Sequence, residues 1–178
     1  KGYPTLLHIA PEVALKRQFE RHYGKEHAEN YLTADLESPL AKLHFDIQDI
    51  PLDDESVDIV ICNHILEHVE EDRKALTELH RILRPGGWGV LLVSIDYNRA
   101  TTFEDDSITS PEERAKVFGQ YDHRRIYGRD YADRVRECGF EVEEIEYEKR
   151  LSEEEQKQYA TAGERLYIVK RPVRANKG

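Results

Sequence analysis

Apolar positions along the chain come in short bursts separated by polar stretches with helical spacing. Thr5 to Ala10 (TLLHIA) is the first strand-length burst. Pro11 and Glu12 then suit the first turn of a helix, where a missing N–H costs nothing and a negative charge meets the helix dipole favourably. Val13, Leu15, Phe19 and Tyr23 extend that helix along one face, and Gly24 ends it. YLTADL (31–36), LHFDI (43–47) and VDIVICN (57–63) read as three further strands, the last apolar enough to be buried on both faces.

A helix from about Glu70 to Leu83 carries Ala75, Leu76, Leu79, Ile82 and Leu83 at helical spacing. Arg81 and Arg84 complement its C-terminal dipole, and Pro85-Gly86-Gly87 stops it. WGVLLVSI (88–95) is a fifth strand. Residues 96–128 are polar and aromatic, and too long for an ordinary connection. A helix near Asp130 to Cys138 ends at Gly139; FEVEEIEYE (140–148) alternates like a half-exposed strand, and ERLYIVKR (164–171) closes the series. The stretch from 149 to 163 reads as a charged, exposed helix or loop. This alternation of strands and helices predicts an α/β fold with a mostly parallel sheet, helices on both faces and an antiparallel pair at the end. In such sheets the ligand lies beyond the carboxyl ends of the strands. The exits at His8 to Glu12, Asp35, Asp46 and Asn63-His64 all gather there.

A length of 178 residues, with 39% hydrophobic and 35% charged positions, allows one polar but foldable domain, 1–178. The net charge of −10 argues against broad binding of nucleic-acid phosphates. No apolar run reaches the length of a membrane span. Two isolated cysteines, Cys62 and Cys138, fit a reducing, cytoplasmic setting and no disulfide framework. The chain contains no methionine, and an N-terminal portion is expected to be missing from it.

Candidate chemistry sharpens the picture. His64-Ile-Leu-Glu67-His68 has the H-x-x-E-H form of some zinc peptidases. That geometry needs both histidines on one helical face, whereas His64 stands where a strand ends. The string is also similar to the E-x-x-E-H cluster with which methyltransferases of RNA 3′ ends, using another histidine, hold a divalent ion, but His64 replaces the first acid and the net charge disfavours RNA. No metal ligand set is expected, and Glu67 and His68 are assigned to stabilising the loop-to-helix corner.

The block FDIQDIPLDDESVDIVICNHILEHVEEDRKALTELHRILRPGGWGVLLV resembles the central region of class I S-adenosylmethionine-dependent methyltransferases. It carries their D-x-x-D-[IL]-P turn, [FV]-D-x-[IV] strand, L-E-H-[IV] step and A-L-x-E-[LI]-x-R-[IV]-L-[KR]-P-G-G helix, and the resemblance extends over about residues 5–148. It implies a Rossmann-like, seven-stranded, mostly parallel sheet whose last strand is antiparallel and inserted beside the fifth. It also implies S-adenosylmethionine as cofactor, with S-adenosylhomocysteine as product. Asp35, with Leu36 beside it, matches the acid that binds the ribose hydroxyls; Asp46 and Ile47 match the adenine contacts; Asn63 and His64 match the exit lining the methionine end.

The largest departure is the first loop. The family usually has a D-x-G-x-G-x-G-like segment there, and this chain reads LLHIAPEVAL. Such HIAPE loops resemble those of a sub-family, methyltransferase type 11-like, associated with saccharide or other metabolite acceptors. His8, Ala10, Pro11 and Glu12 are therefore the first-loop cofactor candidates. In the insert, GQYDHRRIYGRDY packs Asp122, His123, Arg124, Arg125, Tyr127 and Asp130 together, a mix suited either to general-base chemistry on a polar acceptor or to a self-paired charged loop. The expectation is methyl transfer to a small or saccharide-like acceptor through an oxygen nucleophile, with His123 as base and Asp122 or Glu67 orienting it. The rivals are a methyltransferase-like binding domain without catalysis and the H-x-x-E-H zinc hydrolase. Oligomeric state is left open.

Overall fold

The computed structural model describes residues 2–159 and 165–173. Among these described residues, nine strands and five α-helices follow in the order β1 (Leu6–Ile9), α1 (Val13–Tyr23), β2 (Tyr31–Asp35), β3 (Leu43–His44), β4 (Val57–Asn63), α2 (Asp72–Ile82), β5 (Leu83–Leu92), β6 (Phe103–Glu104), α3 (Pro111–Phe118), β7 (Arg125–Ile126), α4 (Tyr131–Glu137), β8 (Glu141–Ile145), α5 (Glu153–Tyr159) and β9 (Leu166–Lys170). Seven strands form one sheet in the order β3-β2-β1-β4-β5-β9-β8. The β1–β5 part is parallel, and β9 runs antiparallel between β5 and β8. The sheet is the expected Rossmann-like one, with its antiparallel strand inserted beside the fifth.

The side-chain period of two in β1 explains the two cores. Leu7 and Ile9 join Ala34, Val60, Cys62 and the apolar stripe of α2 on one face, together with Tyr131 and Val135 of α4. Leu6 packs with Tyr23, Tyr31 and Ile61 under α1 on the other. Of the stripe expected on α1, Tyr23 is buried and Leu15 and Phe19 are half-buried, but Val13 is exposed. Glu12 is the N-cap of α1, so Pro11 lies just outside the helix instead of in its first turn.

Boundaries shift elsewhere too. Only Leu43–His44 of the LHFDI segment pairs as strand, and α2 begins at Asp72, not Glu70. The chain turns from α2 straight into β5 at Leu83, before the Pro-Gly-Gly that was expected to separate them. Gly89 is what lets β5 lie against β4, because a Cβ there would meet the Val60 carbonyl oxygen at 2.6 Å. The expected start of the last strand, residue 164, and residues 160–163 of the preceding stretch lie outside the described residues.

The insert between β5 and α4 has structure of its own. β6 and β7 form a small antiparallel ladder, and α3 is capped by Ser110, whose Oγ accepts from Glu113 N at 3.2 Å. A network of charges locks it down. Arg125 is 3% exposed and donates to the carbonyls of Leu66, Val69 and Glu70 at 2.6, 2.7 and 2.7 Å. Its Nε also reaches Glu104 at 3.1 Å. Arg134 of α4 clasps the buried Asp72 with two hydrogen bonds, of 2.7 and 2.6 Å, and Tyr127 donates to the same carboxylate at 2.7 Å.

Gly128 closes the insert on itself, since a Cβ there would sit 2.5 Å from the Thr101 carbonyl carbon. Thr102 next door is fixed by Asp130, which accepts from its N–H and its hydroxyl at 2.7 and 2.8 Å. The backbone has little room to yield. Gly128→Ala is expected to destabilise the fold by about 1–3 kcal/mol, read as a lower urea midpoint at constant slope; an unchanged midpoint would show that the contact relaxes freely.

Candidate functional site

A cleft of about 570 Å³ opens at the carboxyl edge of the sheet. One end is lined by Ile9, Ala10, Asp35, Leu36, Phe45, Asp46, Ile47 and Gln48, and the other by His64, Ile65, His68, Asp122 and Arg124. Its volume suits a nucleoside-sized ligand. Two non-glycine residues take left-handed backbone at the strand exits that frame it: Ala10 (φ 46°) after β1 and His64 (φ 53°) after β4. Such conformations are costly for residues with a Cβ and concentrate where a binding site dictates the path of the chain. Ala10 is anchored there by its N–H, which donates to the Ala34 carbonyl at 2.7 Å.

Asp35 ends β2 and faces the cleft. Its Oδ1 already accepts from the N–H groups of Glu37 and Ser38 at 2.9 and 2.8 Å, which shapes the loop that follows. Oδ2 is the oxygen left to bind a ligand hydroxyl, so the carboxylate divides its work between loop and ligand. Leu36 is 65% exposed and supplies an apolar surface beside it. Asp46 is exposed at the exit of β3; its Oδ1 accepts from Gln48 N at 2.8 Å, and Gln48 in turn accepts from Glu71 N just ahead of α2.

Four expected first-loop and exit residues stand elsewhere. His8 is 0% exposed on the α1 face, its Nδ1 2.9 Å from the Tyr31 hydroxyl and its Nε2 2.6 Å from Glu12 Oε2. It does not line the cleft, because the alternation that turns Ile9 toward it turns His8 away. Pro11 is buried, and Glu12 and Asn63 stand beside the cleft instead of in its lining. They replace the missing glycine loop with a side-chain brace: Asn63 Nδ2 donates to Glu12 Oε1 at 2.9 Å, tying the β4 exit to the start of α1. Burial lowers the His8 imidazole below its usual range, against the opposing pull of Glu12, so the ring is a neutral strut.

At the other end, HILEH forms a turn and not a helix, with Arg125 holding the Leu66 carbonyl within it and the Val69 carbonyl just after it. The two histidines of the H-x-x-E-H string therefore do not share a helical face, and the peptidase geometry is not formed. Glu67 is 1% exposed; its Oε1 lies 3.4 Å from His64 Nδ1 and accepts from Ser94 N at 3.2 Å. Burial alone would raise its carboxyl, but the bonds from His64 and the backbone outweigh this and hold it below the usual range.

The insert brings Asp122 and His123 to His68, a meeting the sequence did not reveal. Asp122 Oδ2 is 3.3 Å from His68 Nδ1, and the rings of His68 and His123 meet edge to face with centroids 4.7 Å apart. Asp122 therefore orients His68 and not, as expected, His123. One ligand atom from each of His68, Asp122 and His123 lies within 4.8 Å of the others, a grouping that could hold a metal ion where none was expected, made by a contact between segments more than fifty residues apart. The remaining charged residues of the insert divide: Arg124 lines the cleft, whereas Arg125, Tyr127 and Asp130 are structural.

The architecture and the placement of the cleft define a nucleotide-cofactor enzyme fold of the class I methyltransferase type. Comparison with known proteins agrees. Residues 10–91 match the family described as a methyltransferase domain. A protein of Mycolicibacterium smegmatis named a probable S-adenosylmethionine-dependent methyltransferase is 32% identical over 101 residues, covering 57% of this chain and 35% of its own. A demethylmenaquinone methyltransferase of Staphylococcus epidermidis is 39% identical over 75 residues, covering 39% of this chain and 31% of its own. The chain thus spans about a third of the length of the curated relatives it matches. Among solved structures, an S-adenosylmethionine-dependent methyltransferase from Mesorhizobium loti superposes with TM-score 0.63 at 14% identity, covering 96% of this chain and 92% of that one. A second, from Archaeoglobus fulgidus, gives 0.55 at 16% identity over 96% and 87%. The chain has the fold of the class I S-adenosylmethionine-dependent methyltransferases, and just under half of it is similar to their methyltransferase-domain family.

The cofactor of that family is S-adenosylmethionine, and the residues present fit it. Asp35 and Asp46 offer carboxylates on a wall with Leu36 and Ile47. Asn63 Oδ1 and Glu67 Oε2 are buried acceptors with no hydrogen-bond donor. A ligand carrying an ammonium group has the donors such acceptors lack. Among the described residues, no helix is long and apolar enough to cross a membrane.

Proposed function

We propose that this chain catalyses S-adenosylmethionine-dependent methyl transfer to the oxygen of a small, polar or saccharide-like acceptor. The observation that carries this reading is the change of character along one cleft, from a nucleoside-type wall to a wall of imidazole, carboxylate and guanidinium. S-adenosylmethionine, when bound, supplies an electrophilic methyl group on a sulfonium sulfur. Asp35, Leu36, Asp46 and Ile47 hold the nucleoside half, and Ala10, Asn63 and His64 border the methionine half. His8, Pro11 and Glu12 act behind them, keeping the two strand exits in place.

The acceptor lies against His68, Asp122 and Arg124, where hydrogen bonds align its hydroxyl with the methyl carbon; alignment supplies much of the rate enhancement in such displacements. The hydroxyl proton passes to the imidazole pair, with His123 as the receiving base, Asp122 fixing His68, and Glu67 adding negative charge beneath them. Burial, and then the charge of His68, lower the His123 imidazole below its usual range, so it is neutral and able to accept a proton. The unpaired Cys62 and Cys138 are compatible with a reducing compartment, and on that basis we assign the protein to the cytoplasm.

The test is an acceptor screen that follows methyl transfer from labelled S-adenosylmethionine. On a true substrate, His123→Ala is expected to lower turnover by about 10²–10⁴-fold with little change in cofactor affinity. Undiminished turnover removes His123 from the chemistry. Cofactor binding without transfer to any polar hydroxyl acceptor favours a binding domain.

A further inference from the structure

At the polar end of the cleft, His68 and Asp122 of its lining meet His123 just behind it, two imidazoles and one carboxylate within reach of a single point. Their ligand atoms lie within 4.8 Å of one another, and each residue is partly exposed, so a cation can enter from solvent. We propose that His68, Asp122 and His123 form a binding site for a divalent transition cation of the Zn²⁺ type.

Ligand chemistry selects the ion. Imidazole nitrogen suits zinc and its first-row neighbours, whereas Mg²⁺ and Ca²⁺ favour all-oxygen sites. Three protein ligands leave a coordination position open, the arrangement of catalytic and not structural zinc. The supporting contacts point the same way. His123 has a hydrogen bond to the Phe118 backbone, so one ring N–H donates to that carbonyl and the other nitrogen keeps its lone pair. A carbonyl partner of this kind orients metal-bound histidines. Buried Glu67, with one carboxylate oxygen unpartnered, adds negative charge nearby. The charge network centred on Arg125 fixes the turn that bears His68, so the site is built on rigid supports.

The existence of the site does not depend on the acceptor reading, but its role rests on it. An acceptor hydroxyl held at the open position gives up its proton to water more readily, the oxygen keeping the electron pair and the cation its charge. With the cation bound, His123 is its ligand and water takes the proton; in the cation-free chain His123 is the receiving base, so wild-type turnover unchanged by chelation overturns the cation's role in the reaction.

The full chain, treated with a chelator and dialysed, is titrated with Zn²⁺ by calorimetry and with Co²⁺ by visible absorption, with Mg²⁺ as comparator. Expected are one Zn²⁺ per chain at micromolar affinity or tighter, Co²⁺ bands in the visible, and weaker Mg²⁺ binding. Asp122→Asn and His123→Gln, both checked for native circular dichroism, should weaken Zn²⁺ at least about tenfold, whereas His22→Ala on exposed α1 should not. Absent binding, or equal binding in both cluster variants, overturns the site. A parallel titration with S-adenosylhomocysteine separates the readings: Zn²⁺ binding without it supports the cation site and overturns the cofactor assignment, and the reverse result overturns only the cation site.

Discussion

Replacing Asp72 by alanine is expected to cost about 3–5 kcal/mol of stability, the usual penalty for removing one partner of a buried ion pair. Asp72 is 1% exposed and accepts from Arg134 and Tyr127, with Arg125 Nε 3.9 Å away. Without it, Arg134 keeps only Glu104, and the guanidinium is left desolvated beside an apolar cavity. A chain of this size should melt on the order of 10 °C lower. Asp72→Asn, which preserves shape and one acceptor, should fall between. A loss below about 1 kcal/mol would mean that the network is solvated and of surface type.

The same carboxylate gives an acid limit. Burial would raise its pKa, but the hydrogen bond from Arg134, the charge of Arg125 and the hydrogen bond from Tyr127 outweigh this and hold it below the usual carboxylate range. The unfolded chain therefore binds this proton at higher pH than the folded one. The stabilisation is complete above the unfolded carboxylate pKa of about 3.9 and is lost as pH falls through the lower folded value. Wild type should show this acid-dependent loss in urea melts, and Asp72→Asn should show less of it.

The second large effect concerns ligand binding. Asp35→Asn should weaken S-adenosylhomocysteine by about tenfold to a hundredfold, the worth of one or two charge-assisted hydrogen bonds. Asparagine is the informative substitution, because its Oδ1 can still accept from Glu37 and Ser38 while the acceptor Oδ2 is replaced by the donor Nδ2. The loop survives and the ligand contact is lost. Asp35→Ala removes both and cannot separate them. An affinity unchanged in Asp35→Asn would place the ribose elsewhere.

The sheet was legible because its strands are short apolar bursts and α2 repeats its apolar positions at helical spacing, both signals that local sequence carries. Asp35, Asp46 and Ala10 were legible for a related reason: strand ends in a parallel sheet must gather at one edge. His8 was misplaced because an apolar run reveals burial but not which face each residue takes; its edge-on and tilted packing against Phe19 and Tyr31 under α1 decides that. The insert was the least legible. β6 and β7 have two residues each, too few for a periodic signal. Their place is set by ion pairs over long sequence distances, such as Arg134 with Asp72 and Arg125 with Glu104. The meeting of His68 with Asp122 and His123 depends on those contacts, so no local pattern announced it.

The most direct measurement for the whole account is a calorimetric titration of the folded wild-type chain with S-adenosylhomocysteine. One site per chain with micromolar affinity is expected, weakened in Asp35→Asn. No heat and no thermal shift from a chain with native circular dichroism would contradict the assignment of the cleft as a cofactor site.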